Sequence, residues 1–536
     1  MKRWWLPAAI GSALLAVYAL RLDEVAGLYV DDAYYIVLAQ ALARGQGYLL
    51  VSSAATPVLP AFPPGFPLLL APVVAITDAF PANVVALKAV SIVAMLGVAM
   101  LTQWYWHRER GLDRSRAVVI AAITTLLPGF VFLATSTVMA ECAFTLSLVA
   151  GAIAIERAAR DTAGRSRAIV IAAVIASASM LIRSAGAALI VTGAIAVART
   201  RGRKAAAMFI GTWLVCAAPW VWYAQVHAPT QAERDAHGGS IVYTYRELLS
   251  MRNGGDATSG SADVGDLLRR VSRNIFNVFG RDMGAVLLPA AYRGPSESGQ
   301  EVFQLSGESG LLSGSMGLGT PVVVLSFLLS LVVLIGMLAR RPAWGVAELL
   351  SLVTIAMVVI VPARTFRYVL PLAPFLVQFF LAGVEGIAKL WRGRAVSRPA
   401  YRIAAASLVI LVLMEHGQYI AEKFEGPPPP WIADGREVQS VGDWINQHLP
   451  AGGGVASTNP ALIYLMTGHK SVALVDPYRN WRRWKDIDIR YAVALHVASK
   501  PNPGLGYRSL YQSPRLGLWV VELDPRVRLT ENASSP

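Results

Sequence analysis

Charge is what this chain of 536 residues has least of: Asp, Glu, Lys and Arg together make up 15% of it. A soluble globular domain carries about 25%. With 55% hydrophobic residues, that deficit excludes disordered, collagenous and coiled-coil chains and leaves no room for a single compact water-soluble domain. Cysteine is nearly missing too. The two present, Cys142 and Cys216, sit inside apolar runs, which rules out a disulfide framework and a cysteine zinc site. No group of Asp, His or Cys has metal-ligand spacing, so neither a metal nor another cofactor is expected. An internal repeat is also lacking, and with it the inverted-repeat signature of many transporters.

What is present is a series of long apolar runs separated by basic clusters. Eleven runs, from Trp4–Leu20 to Ile403–Tyr419, are candidate membrane spans of roughly 14 to 24 residues. A twelfth, Phe66–Thr77, is shorter and carries Pro67 and Pro72, so it is expected to lie in the interface rather than cross. If it does not cross, the clusters Arg108–Arg116, Arg157–Arg167, Arg199–Lys204, Arg340–Arg341 and Lys389–Arg402 all face one side, as cytoplasmic loops do. The net charge of +14 is thereby assigned to membrane topology, and nucleic acid is not expected as a partner. The N-terminus is then cytoplasmic. Because both flanking loops are basic, Ala168–Ala198 must turn back as a hairpin with Arg183 near its outer bend.

The fold expected is an all-α polytopic membrane bundle of about eleven transmembrane helices, residues 1–420, followed by a small external α/β domain, residues 421–536. Residues 21–66 and 224–319 form external loops. The tail alternates a helical stretch at Glu437–His448 with β-like pieces at Ser471–Val475 and Leu518–Leu523. Its Trp481, Arg482, Arg483 and Trp484 are expected to seat it against headgroups or to bind a carbohydrate.

Polar residues that break the apolar pattern mark the candidate site. Asp31 and Asp32 stand side by side in Val30-Asp31-Asp32-Ala33-Tyr34-Tyr35, just after the first run. Either acid could simply cap the helix that follows. Glu141 stands at the edge of the fourth run, where a carboxylate needs a polar cavity, a partner or a solvated helix end. Arg183, Arg364 and Arg367 fall on the outer side against the positive-inside trend. They imply an anionic ligand there or salt bridges to Glu141 and Asp31, and the two readings are compatible.

The series Asp31-Asp32-Ala33-Tyr34-Tyr35, Ala43-Arg44-Gly45, Pro63-Pro64-Gly65-Phe66-Pro67, Glu141, Leu181-Ile182-Arg183, Ala218-Pro219-Trp220 and Arg367-Tyr368 resembles the multi-spanning glycosyltransferases of the C-type fold. The nearest members are protein O-mannosyltransferases and aminoarabinose transferases, and the resemblance runs through nearly the whole chain. It implies Asp31 as the catalytic carboxylate, with Asp32 and Glu141 as supporting acids and Tyr34 and Tyr35 as substrate contacts. The aminoarabinose enzymes carry a donor-binding Lys before their Pro-Pro, and here Phe62 stands in that place. Phosphate binding then falls to Arg183, Arg364 or Arg367. The expected activity is transfer of a hexosyl or pentosyl group from a polyprenyl-phosphate donor to a lipid, glycan or protein hydroxyl outside the cell membrane. A transporter or flippase of lipid-linked glycans is the alternative.

Overall fold

The computed structural model describes residues 5–54, 56–161, 166–237, 242–253, 256–287, 320–340, 344–362, 366–392, 394–474, 484, 487–495 and 507–523. Among them, Val84–Glu109, Glu141–Arg160, Arg203–Val226, Phe366–Trp391 and Ala395–Glu425 are helices long and apolar enough to cross a membrane. Arg114–Leu126 and Pro128–Thr135 form a sixth candidate span, bent by 54°. The bend has a local cause: Leu127 precedes a proline and adopts an extended ψ of 129°, since the proline ring crowds the helical conformation of its predecessor. The chain is a multi-pass membrane protein. The other apolar runs are also helical, at Trp5–Arg21, Ser166–Ile182, Ala187–Arg201, Thr320–Ala339 and Val346–Val358, so all eleven expected runs fold as helix. By length and composition five or six of them qualify as spans, fewer than the eleven counted from sequence.

Two close approaches position the site. At the hairpin tip the chain breaks at Arg183, whose extended backbone leads into the short turn Ser184–Gly186. A side chain at Gly186 would lie 2.4 Å from the Met180 amide nitrogen, and one at Gly65 would lie 2.6 Å from the Leu181 carbonyl oxygen. Glycine at both places lets the Gly65–Ile76 helix start directly on the hairpin tip. The second approach is between Thr320–Ala339 and the helix that carries Arg367 near its start. Cβ atoms added at Gly336 and Gly383 would lie within 2.0 Å of the Phe379 and Val332 carbonyl oxygens. Small residues facing each other let these helices touch backbone to backbone, the usual contact of helices in lipid.

The long loop contributes a hairpin of strands β1 (Met251–Asn253) and β2 (Asp256–Ser261) and the helix Val264–Asn277, capped by Asp263. The tail contributes β3 (Gly454–Ser457), β4 (Ser471–Ala473), β5 (Ile489–Ala494), β6 (Tyr507–Gln512) and β7 (Trp519–Leu523). They make one sheet in the order β4-β3-β5-β7-β6, parallel through β4, β3 and β5 and antiparallel through β7 and β6. The helices Pro430–His448 and Pro460–Thr467 belong to the same segment. The core of the bundle continues without a break into the tail through Trp431, Val441, Leu462 and Val493. Polar contacts reinforce the junction: the Asn459 amide donates to the Gly27 carbonyl at 2.6 Å, and the Ser471 amide to the Ser52 carbonyl at 2.8 Å. Trp484 is buried in a second small core with Val472 and Ile489, so packing occupies it; Trp481, Arg482 and Arg483 lie outside the described residues.

The glycine contact is testable by its contrast with a neighbour. Gly383→Ala is expected to lower stability by about 1–3 kcal/mol, since Val332 backbone has nowhere to go. Gly386→Ala, which meets only ordinary contact, should be neutral or slightly stabilising. Thermal midpoints of the two variants in detergent measure the difference.

Candidate active site

The approach to Asp31 is strained. Val30, a β-branched residue, has φ of 65°, a left-handed conformation that costs on the order of 1–3 kcal/mol away from glycine. Asp31 opens the helix Asp31–Ala43 directly after it. The two adjacent aspartates then separate in role. Asp32 is buried and accepts from the Gly27 amide at 2.7 Å and the Ala33 amide at 3.0 Å, closing the turn before the helix. Burial raises its pKa to about 6, against the pull of those amides. Asp31 has no such local duty.

Instead, Asp31 meets the residues singled out on distant helices. Its Oδ2 accepts from both Nη1 and Nη2 of Arg367 at 3.1 Å, while Arg367 Nε donates to Glu141 Oε1 at 2.9 Å. Arg183 Nη1 lies 2.5 Å from the same Glu141 oxygen, close enough for a strong ion pair although not aligned as a hydrogen bond. Two carboxylates and two guanidiniums thus form one cluster. Side-chain exposure rises along it, from 0% at Glu141 through 10% at Arg183 and 18% at Arg367 to 33% at Asp31. The gradient makes Glu141 the buried anchor and Asp31 the most accessible member. A buried carboxylate is tolerated only with such pairing. Arg183 also lies 5.2 Å from the Tyr368 ring and Arg367 5.8 Å from the Tyr29 ring, so each charge has an aromatic face beside it. Asp32 does not join the cluster, and Arg364 lies outside the described residues.

Tyr34 and Tyr35 are buried around Phe62, with ring centroids 5.9 and 5.3 Å from it. Tyr35 also meets Phe66 edge to face at 5.1 Å and lies within electrostatic reach of all four charged groups. The turn before Pro63-Pro64 is held by Tyr48, whose hydroxyl donates to the Phe62 carbonyl at 2.9 Å. From the long loop, the Tyr245 hydroxyl donates to the Ala61 carbonyl at 2.6 Å. Tyr243 and Tyr245 also come within electrostatic reach of Asp31, and burial raises both phenol pKa values.

Three residues that hold this arrangement together, Lys88, Asp23 and Ser136, escaped the reading of the sequence. Lys88 is buried in the Val84–Trp104 helix, and its Nζ donates to the carbonyl and to Oδ1 of Asp23, each at 2.7 Å. Ser136 Oγ donates to the other Asp23 oxygen at 2.6 Å, and the Asp23 amide donates to the Thr135 carbonyl at 3.2 Å. The clamp ties the segment leading to Asp31 to the loop leading to Glu141. The Trp431 indole, donating to the Ser136 carbonyl at 3.1 Å, brings the tail onto the same point. A lone lysine inside an apolar run was the available signal, because an ionisable group there needs a partner or a use.

Removal of one partner tests the clamp. Lys88→Met leaves Asp23 without its cation and is expected to cost about 3–5 kcal/mol. Adding Asp23→Leu should recover much of that loss, and a double-mutant cycle on thermal midpoints gives the coupling. Asp32 predicts a pH effect. Its native pKa lies above the unfolded value, so the native state binds the proton more tightly and the group contributes more stability as pH falls from about 7 towards 4. Relative to Asp32→Asn, the wild type should lose up to about 3 kcal/mol as pH rises through that window. Thermal unfolding of both proteins at pH 4.5, 6 and 7.5 measures it.

No protein-family model and no curated protein sequence matches the chain, whereas solved structures do. The structure of ArnT from Cupriavidus metallidurans in the apo state aligns with a TM-score of 0.57 at 12% identity, covering 97% of this chain and 98% of that one. The same protein bound to undecaprenyl phosphate aligns with a TM-score of 0.55 over the same shares. The oligosaccharyltransferase of Archaeoglobus fulgidus in its apo form aligns at 0.53 and 14% identity, covering 92% of this chain and 70% of that one. The agreement extends over the bundle and the tail together, and the chain has the fold of the C-type membrane glycosyltransferases.

Proposed function

We propose that the protein transfers a sugar from a polyprenyl-phosphate donor to an acceptor hydroxyl on the outer face of the cell membrane, with Asp31 as general base. The observation that carries this reading is the asymmetry of the Asp31 carboxylate. Arg367 holds Oδ2 with two donors, and Oδ1 has no hydrogen bond among the described residues. One oxygen fixes the plane of the group and the other is available to take a proton.

The attacking acceptor oxygen would lose its proton to Asp31 as it bonds to the anomeric carbon, while the bond from that carbon to the phosphate oxygen breaks. A single displacement inverts the anomeric centre, unlike the two-step route of retaining hydrolases. Arg367 spends three of its five N–H groups on Asp31 and Glu141, and Arg183 pairs with Glu141 through one nitrogen. Their remaining donors would receive the departing phosphate, joined by Arg364. Tyr35, which adjoins the cluster, would contact the sugar, with Tyr34 beside it. Asp32 would support the site by closing the turn that presents Asp31.

The donor class follows from topology and chemistry. Nucleotide sugars are cytoplasmic, so a site on the outer face needs a sugar already carried across on a lipid. The aligned ArnT structure holds undecaprenyl phosphate, which supports a lipid phosphate at the same kind of fold. In this arrangement the N-terminus is cytoplasmic, residues 1–420 form the catalytic membrane domain, and residues 421–536 cover its outer mouth.

The test is to compare the glycans of cells lacking the protein, cells complemented with wild type and cells complemented with Asp31→Asn, by mass spectrometry. The variant is expected to retain about 1% or less of wild-type turnover while still accumulating in the membrane. The product's anomeric configuration, opposite to the donor's, is read from the same glycan by NMR. Wild-type glycan levels in the variant would remove Asp31 from the chemistry.

A further inference from the structure

A second site lies at the other end of the bundle. The helix Arg394–Glu425 is 32 residues long, ~48 Å from end to end. Near its finish Lys423 donates to the Leu22 carbonyl at 2.6 Å, beside Asp23 and the clamp. Its start is therefore far from Asp31. There it leans on the helix Arg114–Leu126, and the two enclose a pocket of about 680 Å³.

The lining is graded along the helix. Arg398, Tyr401 and Arg402 line the pocket at the helix start, joined by Arg116; about 10–18 Å further on it is lined by Val409 and Ile410. Arg116 is already neutralised, with Nη1 donating to Glu385 at 2.8 Å, Nε 3.1 Å from Asp113, and the guanidinium 4.3 Å from the Tyr401 ring. Arg398 and Arg402 have no carboxylate partner among the described residues. They stand four residues apart and so share one helix face, where like charges repel. A neighbouring pocket of about 740 Å³ shares Arg116 and Arg398 and adds the exposed Lys389, which raises the positive charge further.

Two uncompensated guanidiniums on one face match a phosphate, since arginine offers it parallel N–H donors. A free phosphate would leave the apolar half of the same pocket unused. A phospholipid uses both, with its phosphate at the helix end and a chain running towards the middle of the bundle. We propose that this pocket binds an anionic phospholipid, its phosphate on Arg398 and Arg402 and an acyl chain along Val409 and Ile410. The proposal is independent of the transfer reaction.

The experiment uses the full-length protein in detergent, titrated with phosphatidylglycerol or phosphatidylcholine and followed by native mass spectrometry. Phosphatidylglycerol should half-saturate the protein at about a tenfold lower concentration. Arg398→Gln with Arg402→Gln should abolish that preference. Arg203→Gln with Lys204→Gln removes two exposed charges at the same end but outside the pocket, and should preserve it. A large excess of inorganic phosphate should not displace the lipid. Equal binding of the two lipids, an equal loss in both double variants, or displacement by inorganic phosphate would each overturn the assignment. Both arginines are exposed, so the pocket variant should keep the wild-type thermal midpoint in lipid-free detergent.

Discussion

The guanidinium of Arg367 is shared between Asp31 and Glu141, and the arrangement of this end of the bundle depends on that sharing. Glu141 is fully buried and needs cations; Arg183 and Arg367 supply them. Arg367 in turn reaches Asp31, so the charge buried at one helix start orients the half-buried carboxylate at another. The cluster is neutral as drawn, with two acids and two bases. A neutral cluster can be kept partly dry at modest cost, while its unused N–H groups still offer a binding surface for an anion.

That sharing requires three helix starts and two loops to arrive together, and the structure holds them by backbone proximity more than by bulk. Gly65 and Gly186 let the interfacial helix begin on the hairpin tip that carries Arg183. Gly383 brings the helix of Arg367 against its neighbour. The buried pair Lys88 and Asp23, with Ser136, joins the loop before Asp31 to the loop before Glu141. A buried ion pair is a poor source of net stability, but breaking it is costly, so it enforces one arrangement over others. The strained Val30 is consistent with a frame firm enough to hold an unfavourable backbone conformation next to Asp31.

The fold matches solved glycosyltransferases at 12–14% identity, and the physics of the membrane accounts for so low a value. A lipid-facing residue must only be apolar and helix-compatible, a demand that many residues meet equally well. Identity is constrained only where polar groups meet or backbones touch. Phe62 illustrates local freedom within the site: it is packed between Tyr34 and Tyr35, where an aromatic ring suits its surroundings.

Much of the architecture was legible in the order of residues. Each apolar run became a helix because a segment in lipid must satisfy its own backbone hydrogen bonds. The hairpin at Arg183 and the β-like pieces at Ser471 and Leu518 followed from local patterns. Composition likewise flagged Asp31, Glu141, Arg183 and Arg367 as charges out of place. It did not say which aspartate of the pair was free, since both are equally fit to cap a helix; that was decided by the Gly27 amide turning back onto Asp32. Lys88 went unread because one charge barely alters the hydropathy of its run. The tail was legible from its alternation of helical and β-like pieces, whereas the packing of its Trp431, Val441 and Leu462 against the bundle was not. The sequence alone determined which apolar segments become helices and which charges are anomalous, since both follow from local transfer energies. Only the tertiary structure decided that Arg367 meets Asp31 across 336 residues, because such a contact depends on how helices pack, and hydrophobic periodicity does not encode that.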